Sequence, residues 1–191
     1  MSRLGILGGT FDPPHMGHLM LGAWALATGE VDRLLLVPVY VHAFGKHAAP
    51  YPERVAMVRC VAELLGPRAE VSEIEATLPA PSRTLATLQA LARERPGDAF
   101  RLVVGADVLA ERAAWHRWED VIALAPPLVA GRAGTPRPED APFAELALPE
   151  VSSTEVRRRL ASGDDASALV PATVLAHLRR TGLYGAGEAA G

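Results

Sequence analysis

The chain has 191 residues, of which 49% are hydrophobic and only 5% aromatic, so we expect one domain with a core of alanine, leucine and valine. The formal net charge is -3, without the clustered basic excess of a nucleic-acid-binding protein. No window reaches the ~18 apolar residues of a membrane span. A single cysteine, Cys60, excludes an intrachain disulfide and suits a reducing cytoplasm; its apolar, helix-like surroundings favour a buried, inert thiol over a nucleophile.

Short apolar runs alternate with helix-like segments along the chain. The pattern predicts strands at residues 4–7, 34–39, 69–73, 100–104, 128–130 and 145–148. It predicts helices at residues 17–27, 53–65, 84–94, 107–113, 118–124, 153–161 and 171–180. Residues 132–142, rich in glycine and proline, are expected to form a surface loop.

This alternation indicates βαβ units and therefore an α/β fold, with an open, mostly parallel sheet flanked by helices and a small helical segment at the C-terminal end. Residues 1–184 are expected to form a single domain, and residues 185–191, which are small and polar, a disordered tail. Ligands of open α/β sheets bind at the carboxyl ends of the strands. The loops after Leu7, Val39 and Val104 are therefore the candidate site.

The first loop contains the segment GGTFDPPHMGHL, residues 8–19. Gly8 and Gly9 follow a strand and permit close approach of the backbone to a phosphate. His15 and His18 flank the start of the next helix, where amides and imidazoles favour an anion. The segment lacks the GxxxxGK[ST] pattern of a P-loop and the GxGxxG dinucleotide fingerprint. A zinc site and a turn with two solvated histidines are the alternatives at this point.

A second segment, VSSTEVRRRL, lies at residues 151–160. Ser152 and Glu155 have the spacing of a capping box, which is the purely structural interpretation. The start of a helix is also an anion site, here with three clustered hydroxyls, those of Ser152, Ser153 and Thr154. Arg157, one turn further, adds a fixed cation, whereas Arg158 and Arg159 are expected on a solvated face.

Between these segments, Gly105 and Asp107 follow the strand 100–104. An aspartate at the end of a strand accepts hydrogen bonds from ribose hydroxyls, although Asp107 is equally placed to cap the next helix. Trp115 and Trp118 follow in the segment GADVLAERAAWHRWEDV. Trp118 fits a core position better than Trp115 does.

Together these segments resemble the HxGH nucleotidyltransferase superfamily and, within it, the bacterial nicotinate mononucleotide adenylyltransferases. The resemblance covers residues 4–184 and implies a Rossmann-like nucleotidyltransferase fold. It implies that AMP is transferred from ATP to nicotinate mononucleotide by in-line attack, with Mg²⁺ accompanying ATP and His15 and His18 as the catalytic residues. The ATP-binding residues that it implies are Gly8, Gly9, Thr10, Phe11, His15, His18, Gly105, Asp107, Ser152, Ser153, Thr154 and Arg157.

For the acceptor, the resemblance implies contacts from Lys46, Arg83, Thr84, Trp115 and Arg132, with Trp115 stacking on the pyridine ring. Three departures from the family pattern fall on this side. The loop usually written PPHK here reads HAFGK, SYT reads SRT (residues 82–84), and RPG reads GRA (residues 131–133). Arg83 is either a partner for a substrate carboxylate or a surface arginine.

Several alternatives stay open at this stage. The same chemistry could serve nicotinamide mononucleotide, phosphopantetheine or a polar alcohol phosphate. A non-catalytic nucleotide-binding protein is the alternative from another class, and a pyridine-nucleotide oxidoreductase is disfavoured because GxGxxG is absent. The partners expected are small molecules, with neither nucleic acid nor membrane among them; an assembly of identical chains is left open.

Overall fold

A six-stranded parallel sheet forms the centre of the molecule. The structure, a computed structural model, describes residues 2–41, 48–81, 83–106, 108, 112–132 and 143–187; for 114, 132 and 143–147 it describes the backbone alone. The strands are β1 Arg3–Gly9, β2 Arg33–Pro38, β3 Ala69–Val71, β4 Ala99–Gly105, β5 Pro127–Arg132 and β6 Phe143–Leu148. Their order in the sheet is β3-β2-β1-β4-β5-β6, so the direction of winding reverses between β1 and β4.

Six described α-helices accompany the strands: α1 Met16–Ala27, α2 Tyr51–Leu65, α3 Thr84–Glu94, α4 Trp118–Leu124, α5 Ser153–Ser162 and α6 Ala172–Thr181. Short 3₁₀ helices cover Ile74–Thr77, Arg112–Ala114 and Leu183–Gly185. The structure thus confirms the predicted α/β fold with a parallel sheet, and the predicted helices at 84–94 and 118–124 have their observed bounds. Of the predicted helix at 107–113, most residues lie outside the described ranges.

The two faces of the sheet carry separate apolar clusters because alternate side chains of each strand point to opposite sides. Leu34 and Leu36 belong to the cluster beneath α1, α2, α5 and α6, whereas Leu35 and Val37 belong to the cluster beneath α3 and α4. All four are at most 2% exposed. A strand buried on both faces reads as a continuous apolar run, which is how β2 was recognisable in the sequence.

The end of the chain differs from the prediction of a tail beginning at residue 185. Gly185 closes the last 3₁₀ helix, and Ala186 is buried in the cluster of α1 and α2. A Cβ atom on Gly185 would approach Cα of Ala161 to 3.3 Å, so this turn packs closely on α5. Residues 185 and 186 therefore pack against the domain, because small residues fit closely against a helix.

No helix within the described ranges is long and apolar enough to cross a membrane. Cys60 lies half-buried on α2, and burial raises the pKa of its thiol above the usual value. A thiol with a raised pKa is a poor nucleophile at neutral pH, in line with the inert role predicted for it, although it is less buried than expected.

Candidate active site

A cavity of about 340 Å³ opens where the winding of the sheet reverses. Its wall includes Leu7 and Gly8 from the end of β1 and Val103 to Gly105 from the end of β4. The segments around His15–His18 and Val151–Ser153 complete it. The volume lies in the range of small-molecule sites, and the position is the one expected for the ligand of a doubly wound sheet. The two motifs thus meet at one cavity.

The turn after β1 combines an open backbone with a tightly packed ring. A Cβ atom on Gly8 would meet nothing within 4 Å, so the missing side chain leaves space in the cavity wall. Phe11 is 1% exposed and adopts a left-handed backbone with φ of 52°, which is uncommon for a residue other than glycine. Its ring packs under Gly9 and lies 4.9 Å from the His18 ring, measured between centroids. Phe11 therefore supports the turn from below.

The two histidines lie side by side at the start of α1, with ring centroids 3.9 Å apart. The backbone N–H of His15 donates to Nδ1 of His18 at 3.1 Å. Because Nδ1 accepts, a neutral His18 ring carries its proton on Nε2, which makes Nε2 a donor in a ring that lines the cavity. The N–H of Met16 donates to the Leu169 carbonyl at 2.8 Å. Two amides expected to face an anion are thus engaged within the protein, whereas both imidazole rings line the cavity.

Close packing around Gly17 explains why glycine lies between the two histidines. A Cβ atom there would lie 3.1 Å from both Cε1 and Nδ1 of His15, and 3.3 Å from Cγ1 of Val151. These distances are shorter than ordinary van der Waals contact. Gly17 therefore lies close both to the His15 ring and to Val151 of the second motif.

The two motifs also form hydrogen bonds with each other, although 140 residues of chain separate Pro13 from Ser153. Oγ of Ser153 donates to the Pro13 carbonyl at 2.9 Å, and Nη1 of Arg157 donates to the Asp12 carbonyl at 2.6 Å. Ser152 caps α5, with Oγ accepting from the Glu155 N–H at 3.2 Å, which confirms the N-cap predicted from the sequence.

Of the residues of this motif predicted to bind ATP, Ser152 and Ser153 line the cavity, whereas Thr154 and Arg157 do not. Oγ1 of Thr154 accepts from Nη2 of Arg157 at 3.3 Å. Arg158 and Arg159 both pair with Glu155, and the Arg158 side chain is 57% exposed, so the solvated face is confirmed. These pairings hold the pKa of Glu155 down, at about 2.

Arg54 is the residue that the sequence did not reveal. It is 4% exposed, and its guanidinium donates to four carbonyls, those of Thr10, Val39, Tyr40 and Ala49, at 2.7 to 3.2 Å. These carbonyls belong to the segments that follow β1 and β2. Arg54 thereby connects the loop after β1 (residues 10–15, called the nucleotide loop below because nucleotide binding was predicted for it) to the loop after β2, where the acceptor was expected. In the sequence it is one arginine in an amphipathic helix, with no local signal of its burial.

Glu75 plays a similar part beside the third helix and is 6% exposed. Its carboxylate accepts from the Tyr40 N–H at 3.1 Å and from Oγ1 of Thr87 at 2.9 Å. It therefore links the end of β2 to the beginning of α3. Sequence reasoning missed it because the 3₁₀ helix that carries it has no periodic pattern.

Of the residues predicted for the acceptor, the three whose side chains the structure describes, Arg83, Thr84 and Trp115, do not line the cavity. Arg83 is the exposed N-cap of α3, and Thr84 is the first residue of that helix. Trp115 and Trp118 are both half-buried against the second cluster and meet edge to face, with centroids 5.4 Å apart. Trp118 thus packs against the core as expected. The stacking role of Trp115 and the contacts of Arg83 and Thr84 stay predictions.

Three predicted site residues lie at least partly outside what is described. Asp107 and Lys46 fall outside the described ranges, as do residues 133–142 of the predicted loop. Arg132 ends β5, and its side chain is likewise not described. Their predicted roles therefore rest on the sequence.

Among the described residues, no cluster of three or more histidine, cysteine, aspartate or glutamate side chains could hold a metal ion. The carboxylate of Asp12, 5% exposed, accepts hydrogen bonds from Ala49 and Tyr184 and pairs with Arg157. The Asp12 carboxylate is therefore engaged with protein groups.

The chain resembles known proteins over most of its length. A family described as cytidylyltransferase-like matches residues 6–159. A protein of Anaeromyxobacter sp. (strain K), named "probable nicotinate-nucleotide adenylyltransferase", is 45% identical over 185 residues, which cover 95% of this chain and 96% of that one. A protein of the same name from Thermus thermophilus is 36% identical, covering 95% of this chain and 99% of its own.

Among solved structures, the nicotinic acid mononucleotide adenylyltransferase of Plasmodium falciparum complexed with NaAD superposes with a TM-score of 0.83. The superposition covers 98% of this chain and 99% of that chain at 16% sequence identity. At this identity the likeness establishes a shared fold.

Proposed function

This chain belongs to the cytidylyltransferase-like family and, within it, to the nicotinate-nucleotide adenylyltransferases, and from that premise we propose that it transfers AMP from ATP to nicotinate mononucleotide, giving deamido-NAD and pyrophosphate. The observation that carries the proposal is the meeting of the two motifs at one cavity at the switch point of the sheet. The absence of an intrachain disulfide partner for Cys60 suits a cytoplasmic site of action.

The proposed step is an in-line displacement. An oxygen of the mononucleotide phosphate attacks the α-phosphorus of ATP and forms a P–O bond, while the bond from the α-phosphorus to the oxygen bridging it to the β-phosphorus breaks. Pyrophosphate carries away the electron pair. The protein contributes position and charge stabilisation, and no covalent intermediate with the enzyme is needed.

On the ATP side, His15 and His18 donate to the reacting phosphates. Nε2 of His18 has the donor character for this role, because Nδ1 is occupied by the His15 N–H. The open space beside Gly8 admits the phosphate chain, and the start of α5 with Arg157 receives its β and γ groups. Gly105 and Asp107 are assigned to the ribose, next to the apolar wall formed by Val103 and Val104.

On the acceptor side, we assign Lys46 to the mononucleotide phosphate, Trp115 to the pyridine ring, and Arg83, Thr84 and Arg132 to its polar edge. These assignments rest on the family pattern. Arg54 and Glu75 would contribute to acceptor binding indirectly, because both hydrogen-bond to the backbone just after β2, where the predicted acceptor loop begins.

Magnesium ion, when bound with ATP, would neutralise charge on the phosphates of the leaving group. Its ligands would be phosphate oxygens and water. The residues that we assign to ATP would then bind the remaining phosphate oxygens and keep the chain extended.

The test offers purified protein ATP and magnesium with nicotinate or nicotinamide mononucleotide, and measures pyrophosphate and dinucleotide together. We expect turnover on the nicotinate compound. His18→Ala should lower kcat by two to three orders of magnitude, roughly the loss of one oxyanion donor, and leave thermal unfolding unchanged. His116→Ala, which removes an exposed histidine, is the matched control and should behave as wild type.

The outcomes separate the parts of the proposal. Turnover on the amide alone would keep the chemistry and move the acceptor. Absence of product with both compounds, despite ATP binding, would reject adenylyl transfer to a pyridine mononucleotide. Near-normal turnover in His18→Ala would remove that histidine from the mechanism.

A further inference from the structure

Four separate segments of the chain meet at the buried side chain of Asp12. Its Oδ1 accepts from the backbone N–H of Ala49 at 2.8 Å and from the hydroxyl of Tyr184 at 2.6 Å. Its Oδ2 lies 3.3 Å from Nη1 of Arg157, which also donates to the Asp12 carbonyl. The Tyr184 bond spans 172 residues of sequence. One carboxylate thus joins the nucleotide loop, the segment before α2, helix α5 and the C-terminal segment.

Backbone strain is concentrated around this carboxylate. Three described residues other than glycine adopt a positive φ: Phe11 at 52°, Arg117 at 55° and Tyr184 at 57°. Phe11 directly precedes Asp12, and Tyr184 donates to it. A left-handed backbone is unfavourable for a residue with a side chain and persists where surrounding contacts enforce it. The fold therefore accepts strain on both sides of the contact that holds Asp12.

The contacts of Arg157 show what this arrangement achieves. Nη1 of Arg157 bonds to Asp12 and Nη2 bonds to Thr154, and the side chain remains 35% exposed. Because the guanidinium is planar and rigid, these bonds also fix the direction of its other N–H groups. An arginine with a free stem would lose conformational entropy on meeting a phosphate, whereas a held one has already lost it.

We propose that Asp12 and Tyr184 are positioning residues, which hold the guanidinium of Arg157 in the orientation that receives the β- and γ-phosphates of ATP. The C-terminal segment then completes the nucleotide site from the far end of the chain. The proposal rests on the function proposed above, since Arg157 is the residue through which both would act. Burial and the hydrogen bond to Asp12 raise the pKa of the Tyr184 hydroxyl, so it stays a donor throughout the neutral range.

Tyr184→Phe tests the proposal because it removes the hydroxyl and keeps the ring that packs on the core. Tyr51→Phe is the matched control, since the Tyr51 hydroxyl is buried and has no hydrogen-bond partner among the described residues. We expect KM for ATP to rise about tenfold in Tyr184→Phe, as for a lost hydrogen bond to a charged group, with KM for the mononucleotide within about twofold of wild type.

Binding measurements separate positioning from general damage. Calorimetry with pyrophosphate, which reports on the β- and γ-phosphate subsite, should show a Kd about tenfold weaker in Tyr184→Phe, whereas the Kd of AMP should stay within about twofold. Asp12→Asn should give the same split, with Asp165→Asn on the surface as its control. If Tyr184→Phe does not fold, Asp12→Asn decides the question.

Unchanged pyrophosphate affinity in a folded variant would overturn the proposal. An equal weakening of pyrophosphate, AMP and mononucleotide, parallel to a fall in Tm, would also overturn it, because both residues would then be structural only. These results are distinct from failure of the proposed function, which would appear as absence of product in the wild-type protein. The binding measurements need no turnover and keep their meaning in that case.

Discussion

Gly17 offers the sharpest test of how the ring of His15, to which we assign a catalytic role, is placed. Substitution by alanine adds a methyl group at 3.1 Å from two atoms of the His15 ring and 3.3 Å from Cγ1 of Val151. To relieve this close contact and still keep its contact with His18, the His15 ring must shift by a few tenths of an ångström. Val151 is buried on the other side, at 5% exposed.

The effects of Gly17→Ala on stability and activity should oppose each other. Alanine in a helix is favoured over glycine by up to about 1 kcal/mol, so the free energy of unfolding should stay the same or rise slightly. A displacement of about 1 Å can cost on the order of a hundredfold in rate, so a shift of a few tenths should lower kcat about tenfold, or about 1.4 kcal/mol of activation free energy.

Initial rates with ATP and the mononucleotide, together with urea unfolding, measure both effects. Gly97→Ala is the control, since a Cβ atom there meets nothing within 4 Å and its backbone is not left-handed. In a His15→Ala background, Gly17→Ala should have no further effect on kcat, because the ring it displaces is gone. A wild-type rate in Gly17→Ala, or a full tenfold loss in the His15→Ala background, would refute this explanation of the glycine.

Three further predictions concern the buried polar groups. Glu75→Gln should lower the free energy of unfolding by about 2 kcal/mol in urea titrations. The reason is that an amide oxygen accepts more weakly than a carboxylate, and the amide NH₂ would face the donors of Tyr40 or Thr87. Glu94→Gln, on the surface, should leave the free energy of unfolding unchanged. Arg54→Met should lower the free energy of unfolding by more than about 3 kcal/mol, because four carbonyls lose their donor. Arg59→Met on the same helix should lower it little, and equal losses in the two variants would contradict the role given to Arg54. Burial raises the pKa of Tyr51 to about 12 from its usual value of 10.0, so the unfolded chain loses the phenol proton at a lower pH than the folded chain does. The free energy of unfolding should therefore fall as the pH rises between those two values, and it should fall less steeply in Tyr51→Phe.

The sheet and its helices were predictable because their burial is periodic. β2 is a continuous apolar run, α3 has an apolar stripe, and glycine or proline marks most of the boundaries. The regular alternation of these elements then favoured parallel strands. The order of the strands was not predicted, because nothing local in the sequence says on which edge of the sheet a strand is added.

The cavity was predictable for a different reason. The rule that ligands bind at the carboxyl ends of strands depends on connectivity alone, and it brought the segments after Leu7 and Val104 to the same edge. The motif at residues 151–160 joined them only through the family resemblance. Its contacts with Asp12 and Pro13 required the structure, since no local pattern encodes a pairing across 140 residues or more.

Residues that brace the site were not recognisable from the sequence as bracing residues. Arg54, Glu75 and Asp12 are buried polar residues whose partners are backbone groups or distant side chains. Sequence patterns place charged residues on the surface, because unpaired burial is costly. The exceptions are the residues with saturated hydrogen bonds, and saturation becomes visible only when the loops are seen together.

The contacts within the second motif also divide roles that its sequence treats alike. A serine hydroxyl carries a single hydrogen, so when Ser153 donates to the Pro13 carbonyl it does not also donate to a phosphate. Ser152 has the opposite arrangement: its oxygen accepts from the Glu155 N–H, and its own hydrogen remains a donor in a side chain that lines the cavity. Ser153 therefore aligns α5 against the nucleotide loop, and Ser152 presents a donor to the cavity. On the function proposed above, we expect loss of either to slow turnover, with only the loss of Ser152 removing a proposed phosphate contact directly.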